Sequence, residues 1–323
     1  MITTLIYRDG KFAMANPPVE SIAMLRADPA VMVWVDICEP SDEETRLVLD
    51  SVFQFHPLAI EDCVSDSPLP KVEDYEQYLY LVMHAVDYTR TEHFSTTELD
   101  IFLGKDILVT HHRKPLKPVT IALERYGKQG VAVVRGPDRF AHYLLDQMVE
   151  AYKPALVELQ KELDEVEHAA LMNIPAKELF GRVVDLRKDL TTLRRIVRPQ
   201  REVAGELAQG KTKLIRSVIV PYLRDLAEEL ARIEANAETW SEELILSFRV
   251  YLNKSSHEAN AGIKVLTGIT ALTIPILLIG AWFGMNFEYF PELERAWAYP
   301  LAAFVMFSGT FAMVWMMRRK KWL

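Results

Sequence analysis

Two stretches near the C-terminus decide the fold: VLTGITALTIPILLIGAWF at residues 265–283, and WAYPLAAFVMFSGTFAMVWMM at residues 297–317. Neither contains an Asp, Glu, Lys or Arg residue. A helix needs about 20 apolar residues to cross the hydrocarbon core of a bilayer. Two buried helices of a soluble protein are the alternative, but charge-free runs of this length are typical of membrane spans. The sequence therefore predicts two C-terminal transmembrane helices.

The charges that flank these stretches predict their orientation. Four bases follow the second stretch directly, at Arg318, Arg319, Lys320 and Lys321, whereas the loop at 287–296 is net negative. Basic residues collect on the cytoplasmic side of a membrane. We therefore expect an inner (plasma) membrane protein with both termini in the cytoplasm and its basic tail near lipid phosphates. The N-terminal MITTLIYRDG has no apolar leader pattern, so we expect no secretory signal peptide.

The rest of the chain has the composition of an acidic soluble domain. The 323 residues carry a net charge of -8, which disfavours nucleic acid as a partner. The two cysteines, Cys38 and Cys63, are too few for a disulfide framework, and their spacing matches no metal-binding motif. His111 and His112 likewise lack the spacing of paired metal ligands. We expect the cysteines to be reduced and these histidines to be packing or surface residues.

The order of patterns predicts an α/β head followed by long helices. A hairpin is predicted around Asp9 and Gly10, and further strands at 31–37, 78–86 and on either side of 104–106. Ser41 and Glu44 have the spacing of a capping box. Helical periodicity covers 137–172, 176–207 and a stretch from 214 onward. The predicted domains are an α/β domain (1–136), a helical hairpin (137–213), a stalk helix (214–264), a first transmembrane helix (265–286), an extracytoplasmic loop (287–296), a second transmembrane helix (297–317) and a basic tail (318–323).

An apolar seam runs along the predicted stalk helix. Its members recur at intervals of three and four: Leu223, Leu226, Leu230, Ile233, Ala237, Trp240 and Leu244. This spacing is typical of helices that pack along one another. Together with the first transmembrane stretch, the helix would cover about 65 to 70 residues and reach on the order of 100 Å. We expect the seam to bind helices of other copies in a parallel homo-oligomer.

One motif suggests a nucleotide-binding loop. Gly205, Gly210, Lys211 and Thr212 match the spacing of a phosphate loop, and VMVWVD, ending at Asp36, resembles the strand that holds magnesium in such enzymes. A phosphate loop follows a buried strand and opens a helix. The segment before Gly205 is RRIVRPQREVA, which is predicted to be helix and polar turn. We therefore expect a loop between helices and no enzyme.

The end of the first transmembrane stretch reads Gly284-Met285-Asn286, followed by FEYFPEL at 287–293. This pattern resembles the GMN signature of the CorA family of divalent metal-ion transporters, which precedes an acidic and aromatic loop. The resemblance extends to further segments: the terminal RRKKWL, YLNKSS at 251–256, PYLRD at 221–225 and HPLAIEDCVSDSPLPKVE at 56–73. It covers nearly the whole chain.

The resemblance implies a homopentamer in which the first transmembrane helix lines the pore for Mg²⁺, and also Co²⁺ or Ni²⁺. Gly284, Met285 and Asn286 are then the selectivity filter, with Glu288 and Glu292 in the adjoining loop. A ring of Asn286 carbonyls could hold a hydrated ion, although a helix C-cap is the ordinary role of such an Asn. Stepping by three and four predicts a pore-lining face at Asn260, Ile263, Thr267, Thr270, Ile274, Leu277 and Ala281, with Ile274 and Leu277 as an apolar constriction; an ordinary helix interface is the alternative.

The resemblance also implies that cytosolic Mg²⁺ regulates transport through acidic residues between subunits. Asp225 is the stalk candidate and Asp87 its partner in the head, with Asp62 and Asp66 as alternatives. A second stalk acid of some relatives falls at Arg249 and is absent. Mg²⁺ is thus the predicted cargo and regulatory ligand, without an organic cofactor. Two other functions stay open: a ZntB-like, proton-coupled Zn²⁺ transporter, whose signature more often has isoleucine where this chain has Met285, and a membrane-anchored NTPase or scaffold.

Overall fold

The computed structural model describes residues 1–65, 69–89, 93–128, 134–172, 175–285 and 295–320; side chains at 87–89, 93 and 176 are outside this description. The chain divides into two compact units, Met1–Leu246 and Ser247–Leu323. Unit 1 is an α/β domain with long helices, and unit 2 is helical. The α/β head, the long helix and the two C-terminal apolar helices predicted from the sequence are all present. The finer domain boundaries stay predictions.

The strands and helices of the described residues follow in chain order. The strands are β1 (Ile2–Arg8), β2 (Lys11–Ala15), β3 (Val31–Cys38), β4 (Lys71–Asp74), β5 (Tyr78–Thr89), β6 (His93–Gly104) and β7 (Ile107–His112). The α-helices are α1 (Ile22–Leu25), α2 (Asp42–Arg46), α3 (Pro57–Val64), α4 (Lys117–Tyr126), α5 (Pro137–Glu150), α6 (Tyr152–Leu171), α7 (Ala176–Leu207), α8 (Val220–Phe283) and α9 (Ala298–Arg319). A 3-10 turn precedes α1, and a π-helical segment, Leu47–Val52, continues α2.

The described strands form one sheet in the order β2-β1-β3-β7-β6-β5-β4. Only the central pair β3 and β7 is parallel; the other neighbours are antiparallel. The predicted hairpin is confirmed, because Asp9 and Gly10 both adopt positive φ (51° and 76°), as a tight hairpin turn requires. The central strands are therefore covered by strands on both sides and by helices on both faces.

The two faces of the sheet bury different side chains because neighbouring residues of a strand point in opposite directions. One face packs with the π-helical segment and α3 in an apolar core that includes Val35, Val109 and Cys63. The other face carries Trp34, whose ring lies 4.4 Å from that of Phe140 on α5. The strand β3 is buried on both faces for this reason and is largely apolar, with Asp36 as a buried polar residue.

The helix after β3 begins with the predicted capping box. The Ser41 hydroxyl accepts a hydrogen bond from the Glu44 amide at 3.2 Å, and the Glu44 carboxylate accepts one from the Ser41 amide at 3.0 Å. These bonds satisfy two amides that the first helical turn leaves without partners. Together with the N-terminal ammonium, they lower the pKa of Glu44.

The long helix α8 begins at Val220, so the predicted start at residue 214 is wrong by one and a half turns. The residues before Val220 form turns instead, in which the Ile219 amide donates to the Arg216 carbonyl at 2.9 Å. The Arg216 amide donates to Asp138 Oδ2 at 3.0 Å, and Arg216 Nε donates to the same oxygen at 2.9 Å. These bonds hold the segment before α8 against α5. Gly136 makes room for this contact, since a Cβ there would lie 2.6 Å from Arg216 Nη2.

We expect Asp138→Asn to destabilise the protein by about 2 kcal/mol, because Asp138 is buried and a charged acceptor of several hydrogen bonds is lost. The half-exposed Arg216 keeps the cost below that of a fully buried pair. Thermal melting of the full chain in detergent measures the effect. Asp185→Asn removes an exposed acid of α7 and should change stability by less than about 0.5 kcal/mol. Equal melting of the two variants would contradict the structural role of the pair.

The apolar seam of α8 is buried within unit 1. Leu223, Leu226, Leu230, Ile233, Ala237 and Leu244 are all buried, and Trp240 is half-buried. Ion pairs flank the seam on both sides, from Lys153 on α6 and from Arg194 and Arg201 on α7. The expectation that other copies cover this seam is therefore wrong, because the chain's own helices cover it. The seam by itself does not require an oligomer.

Unit 2 contains the two helices predicted to span a membrane. The apolar part of α8 and the whole of α9 are long and hydrophobic enough to cross a bilayer, and only 6% of each apolar window is buried. Core helices of a soluble protein would be mostly buried instead. Among the exposed side chains of α9 are the large rings of Phe304, Phe307 and Phe311. This exposure disfavours the soluble-core alternative and favours a lipid environment for both helices.

Candidate ion pathway

In unit 2, one face of α8 packs closely against α9. A Cβ added at Gly268 would lie 3.0 Å from Met317 Cε, and one added at Gly309 would lie 3.2 Å from Pro275 Cβ. Small residues let membrane helices approach closely in this way. The other members of the face are partly covered: Ala271, Leu272, Ile279 and Phe283. The face of α8 that packs on α9 therefore cannot line a pore.

The predicted pore-lining face lies on the other side of α8. At about 100° per residue, its centre is about 150° around the helix from the face packed on α9. Every one of its residues is exposed in the single chain, as is Gly284 of the signature that follows on the same face: Asn260, Ile263, Thr267, Thr270, Ile274, Leu277 and Ala281. Nothing in the described residues of the chain covers this face. It is therefore available to line a pathway or to meet another copy.

Two threonines of this face have their hydroxyl groups oriented by the helix backbone. Thr267 Oγ1 donates to the Ile263 carbonyl at 2.8 Å, and Thr270 Oγ1 donates to the Leu266 carbonyl at 2.9 Å. A hydroxyl has one hydrogen and two acceptor lone pairs. Because the hydrogen is used within the helix, the lone pairs stay free for outside donors. The waters around a cation point their hydrogens outward, so these oxygens are suited to hold a hydrated ion.

Beyond Thr270, the same face becomes apolar for almost two turns. Ile274 and Leu277 are 41% and 65% exposed and lie three residues apart on the helix. A ring of such side chains can exclude water from a narrow pore. The predicted constriction thus lies on the exposed face, between the threonines and the signature.

The signature residues lie at the end of α8. The helix ends at Phe283, and the Gly284 amide still donates to the Gly280 carbonyl at 3.0 Å. Gly284 and Met285 are exposed. Asn286, Glu288 and Glu292 lie outside the described residues. The filter ring of Asn286 and the acidic loop therefore stay predictions.

The predicted regulatory acids lie in unit 1. Asp225 is exposed on α8, one turn beyond Tyr222. The Tyr222 ring contacts the His142 ring at 5.6 Å and the Arg139 guanidinium at 4.5 Å. Burial lowers the pKa of His142, against the opposing charges of Asp146 and Asp225, so this histidine is neutral at pH 7. His142 therefore adds no positive charge near Asp225.

The candidate partners of Asp225 differ in what surrounds them. Asp87 lies on β5 opposite Ser95 of β6, and its side chain is outside the description. Asp62 is engaged, because Lys71 Nζ lies 2.6 Å from its Oδ2. Asp66 lies outside the described residues. An engaged carboxylate is a weaker ligand for a regulatory ion, so Asp87 remains the preferred candidate.

Several stalk acids are ion-paired rather than simply solvated. Glu229 lies 3.7 Å from Lys153, Glu234 2.9 Å from Arg201, and Glu238 3.3 Å from Arg194. These pairs join α8 to α6 and α7. They differ from Asp225, for which no pair is seen in the described residues.

Comparison with known proteins identifies the family. A family model described as "CorA-like Mg2+ transporter protein" matches residues 29–320. The cobalt/magnesium transport protein CorA of Thermotoga maritima is 31% identical over 309 residues, which cover 94% of this chain and 87% of that protein. This chain belongs to the CorA-like family. The predicted resemblance to the CorA family is thereby confirmed.

Solved structures show that the fold is the CorA fold. The complete structure of the CorA magnesium transporter from Methanocaldococcus jannaschii has a TM-score of 0.79 at 20% identity, covering 99% of this chain and 98% of that one. The structure of the full-length CmaX protein has a TM-score of 0.81 at 18% identity, covering 100% and 98%. At these identities the likeness shows the fold alone. It extends over both the head and the C-terminal helices of the CorA-like chain.

The phosphate-loop motif of this CorA-like chain has the wrong structural context. Gly205 lies inside α7, which ends at Leu207, and Gly210 follows with a φ of 62°. Lys211 and Thr212 therefore come after the C-terminal end of a helix, which carries partial negative charge. A phosphate loop needs the opposite end of a helix after a strand. The structure supports the predicted loop between helices.

A polar cluster in the core of the CorA-like head was not predicted from the sequence. Cys63, Asp100 and His111 are all buried and each offers one potential metal-ligand atom within 4.8 Å of the others. They come from α3, β6 and β7 and are far apart in sequence. No local spacing could have revealed them, because the strand pairing brings them together. His111 and His112 are buried, in agreement with a packing role.

Proposed function

We propose that this protein is a homopentameric membrane channel that carries divalent cations, chiefly Mg²⁺ and also Co²⁺ or Ni²⁺. Membership of the CorA-like family supports transport, and the Thermotoga maritima relative is named a cobalt/magnesium transport protein. The proposal assigns the chain no enzymatic reaction and no organic cofactor. Its proposed partners are the lipid bilayer, further copies of itself and the divalent cation.

The observation that carries the proposal is the uncovered face of α8. That face is exposed along its whole length, lies opposite the surface packed on α9, and contains no Asp, Glu, Lys or Arg. A symmetric arrangement of such helices around an axis would enclose a pore lined by this face. The pore would present amide and hydroxyl oxygens and an apolar constriction, with no fixed charge.

An uncharged oxygen-lined pore suits magnesium for a physical reason. Mg²⁺ is small, binds its waters tightly and loses them reluctantly. Thr267 and Thr270 present acceptor oxygens to those waters, and Asn286 would add carbonyl oxygens at the outer end. The ion can therefore be held through its hydration shell without being stripped. Rings of charged side chains in the pore would instead bind a divalent ion so tightly that it would leave slowly.

The proposed location is the inner membrane, with both termini in the cytoplasm. The bases at 318–321 support this orientation. A negative cell interior then favours entry of the cation by about 2.3 kcal/mol per charge for each 100 mV. Transport in this direction needs no further energy source.

Regulation by cytosolic Mg²⁺ is the finer part of the proposal. Asp225 is an exposed carboxylate in unit 1, and Asp87 of a neighbouring subunit is the proposed second ligand. A bound ion would offset the repulsion of the two carboxylates and hold adjacent subunits together. Loss of the ion at low Mg²⁺ would let the subunits move apart and open the pore.

Uptake by reconstituted protein tests the proposed function. The full chain is placed in liposomes that contain a Mg²⁺-sensitive or Zn²⁺-sensitive dye, with a negative-inside potential, and with or without a proton gradient. We expect Mg²⁺ entry that depends on the potential and not on the proton gradient. Failure of Mg²⁺ to enter faster than in protein-free liposomes would overturn the proposal. Zn²⁺ entry that requires the proton gradient would assign the ZntB-like alternative instead.

The NTPase alternative is tested in the same preparation. Uptake without added nucleotide contradicts it, and so does unchanged uptake by Lys211→Ala. The NTPase alternative would be supported if uptake by the wild-type chain requires ATP and uptake by Lys211→Ala no longer responds to ATP. The position of Lys211 after the C-terminal end of α7 favours the first result.

We expect Thr270→Val to slow Mg²⁺ uptake by at least about threefold, because each subunit loses one hydrogen bond of about 0.5 to 1.5 kcal/mol to the ion's waters. Initial uptake rates at equal protein content measure the effect. Thr310→Val on α9 is the matched control, since its hydroxyl also donates to a backbone carbonyl at 2.9 Å but lies on the other helix. Equal slowing of the two variants would show that the hydroxyl acts on helix structure and not on the ion.

A further inference from the structure

Three potential metal ligands of different chemistry meet inside the head. Cys63 Sγ, a carboxylate oxygen of Asp100 and an imidazole nitrogen of His111 all lie within 4.8 Å of one another. The three residues are 1%, 2% and 3% exposed. The cluster is therefore part of the core of unit 1 and separate from the proposed ion pathway in unit 2.

The fold fixes each member in place. Asp100 and His111 are direct partners in the β6–β7 ladder, so their side chains share one face of the sheet. Cys63 comes from α3, which covers that face. The C-terminal end of α3 is attached to the sheet, because the Arg113 guanidinium donates to the Val64 carbonyl. The meeting of the three groups thus follows from strand register and helix packing rather than from a mobile loop.

A fourth residue orients the carboxylate. The Tyr80 hydroxyl donates to Asp100 Oδ1 at 2.7 Å, and Asp100 Oδ2 lies 3.2 Å from His111 Nδ1. Ligating carboxylates and imidazoles in metal sites are commonly held by such outer hydrogen bonds. The separation between nitrogen and oxygen is also suitable, since two such ligands about 2.0 to 2.1 Å from a tetrahedral Zn²⁺ lie about 3.3 Å apart.

We propose that Cys63, Asp100 and His111 bind one Zn²⁺ or Co²⁺ ion per chain at a buried site within the head. Thiolate and imidazole ligands select borderline transition-metal ions over Mg²⁺, which prefers six oxygens. The site is therefore distinct in chemistry from both the pore and the regulatory carboxylates. It does not rest on the proposed transport function.

The charge balance of the cluster fits a divalent ion. On binding, the S–H bond of Cys63 breaks, a sulfur–metal bond forms, and the proton leaves to solvent. His111 stays neutral, with its hydrogen on Nε2 and its lone pair on Nδ1 directed at the metal. The thiolate and the Asp100 carboxylate together carry two negative charges. They neutralise the ion, as a site with so little exposure requires. A water molecule can take the remaining tetrahedral position.

Cobalt is the probe that distinguishes this site from all oxygen sites. The purified full chain in detergent is stripped with a chelator, supplied with excess Mg²⁺ to fill oxygen sites, and titrated with Co²⁺. A thiolate–cobalt bond gives a near-ultraviolet charge-transfer band that Asn, Thr and carboxylate ligands cannot produce. We expect this band to saturate at one Co²⁺ per chain and to disappear when Zn²⁺ is added.

The two cysteines provide a matched pair of variants. Cys63→Ser should abolish the band, whereas Cys38→Ser should leave it unchanged, because these are the only cysteines in the sequence. Tyr80→Phe should keep the band but weaken Co²⁺ affinity about 10- to 100-fold. This variant preserves all three ligands and serves as the test if Cys63→Ser does not fold.

The alternative is a hydrogen-bonded core cluster without a metal. It predicts no charge-transfer band in the wild-type chain, and the absence of this band would by itself overturn the proposal. A band that survives Cys63→Ser, or is lost in Cys38→Ser, overturns it as well. Unchanged Co²⁺ affinity in Tyr80→Phe would contradict the role of Asp100 as a held ligand.

Discussion

We expect Asn286→Ala to lower Mg²⁺ uptake by at least about tenfold, the largest effect of any single substitution in the pathway. Each subunit would lose an amide oxygen that holds a water of the ion. One such hydrogen bond contributes about 0.5 to 1.5 kcal/mol, and the loss recurs in every subunit. A total above about 1.4 kcal/mol already corresponds to a tenfold change. Initial rates of Mg²⁺ entry into liposomes measure it.

The controls for Asn286→Ala separate a filter role from a folding role. Asn236→Ala removes an exposed amide from α8 within unit 1, outside the pore-lining face, and should transport at nearly the wild-type rate. Asn286→Gln keeps the amide but displaces it, and we expect partial recovery of uptake. Wild-type uptake by Asn286→Ala would remove this residue from the filter. It would leave the threonine positions of α8 to be tested separately.

The second large effect concerns regulation. We expect Asp225→Ala to raise the cytosolic Mg²⁺ concentration needed for half inhibition by at least about tenfold, because a charged ligand of the proposed regulatory ion is worth at least about 1.4 kcal/mol. Uptake at low Mg²⁺ should be unchanged, since Asp225 lies in unit 1 and outside the pore-lining face. Uptake is measured over a range of Mg²⁺ on the side of the liposome that corresponds to the cytosol.

A second acid of the same helix controls for loss of charge alone. Glu242→Ala removes one exposed carboxylate from α8 within unit 1. It should leave the inhibition curve in place. Identical shifts in Asp225→Ala and Glu242→Ala would indicate a general effect of charge and contradict a specific ligand at Asp225. An unchanged inhibition curve for Asp87→Ala would exclude Asp87 as the partner of Asp225.

Local patterns predicted the parts of the fold that depend on neighbouring residues. The turn at Asp9 and Gly10, the cap at Ser41 and the charge-free stretches at 265–283 and 297–317 each carry their own physical cause in a few consecutive residues. Short elements with weak patterns were missed: β4, α3 and α4. The predicted helix over 137–172 is interrupted at Ala151, where α5 ends and α6 begins.

Features that depend on distant residues could not be predicted. The segment before α8 is held by Asp138, which lies 78 residues before Arg216. The same limit applies to the metal-ligand cluster, because Cys63, Asp100 and His111 meet only through strand register and the packing of α3. For the pore, periodicity was sufficient to choose a helix face, since the choice needs only the helical repeat. Which residues face Asp225 depends on a second subunit and lies beyond any single-chain pattern.

The burial of the stalk seam fixes the order of folding and assembly. Because α6 and α7 already cover Leu223, Leu230 and Leu244, unit 1 can complete its hydrophobic core before it meets another copy. In the proposed pentamer, subunits would then associate as already folded bodies. Interfaces between such bodies are typically less apolar than the shared hydrophobic core of a permanent assembly. The proposed regulation, in which small displacements between neighbours open the pore, needs interfaces of the first kind.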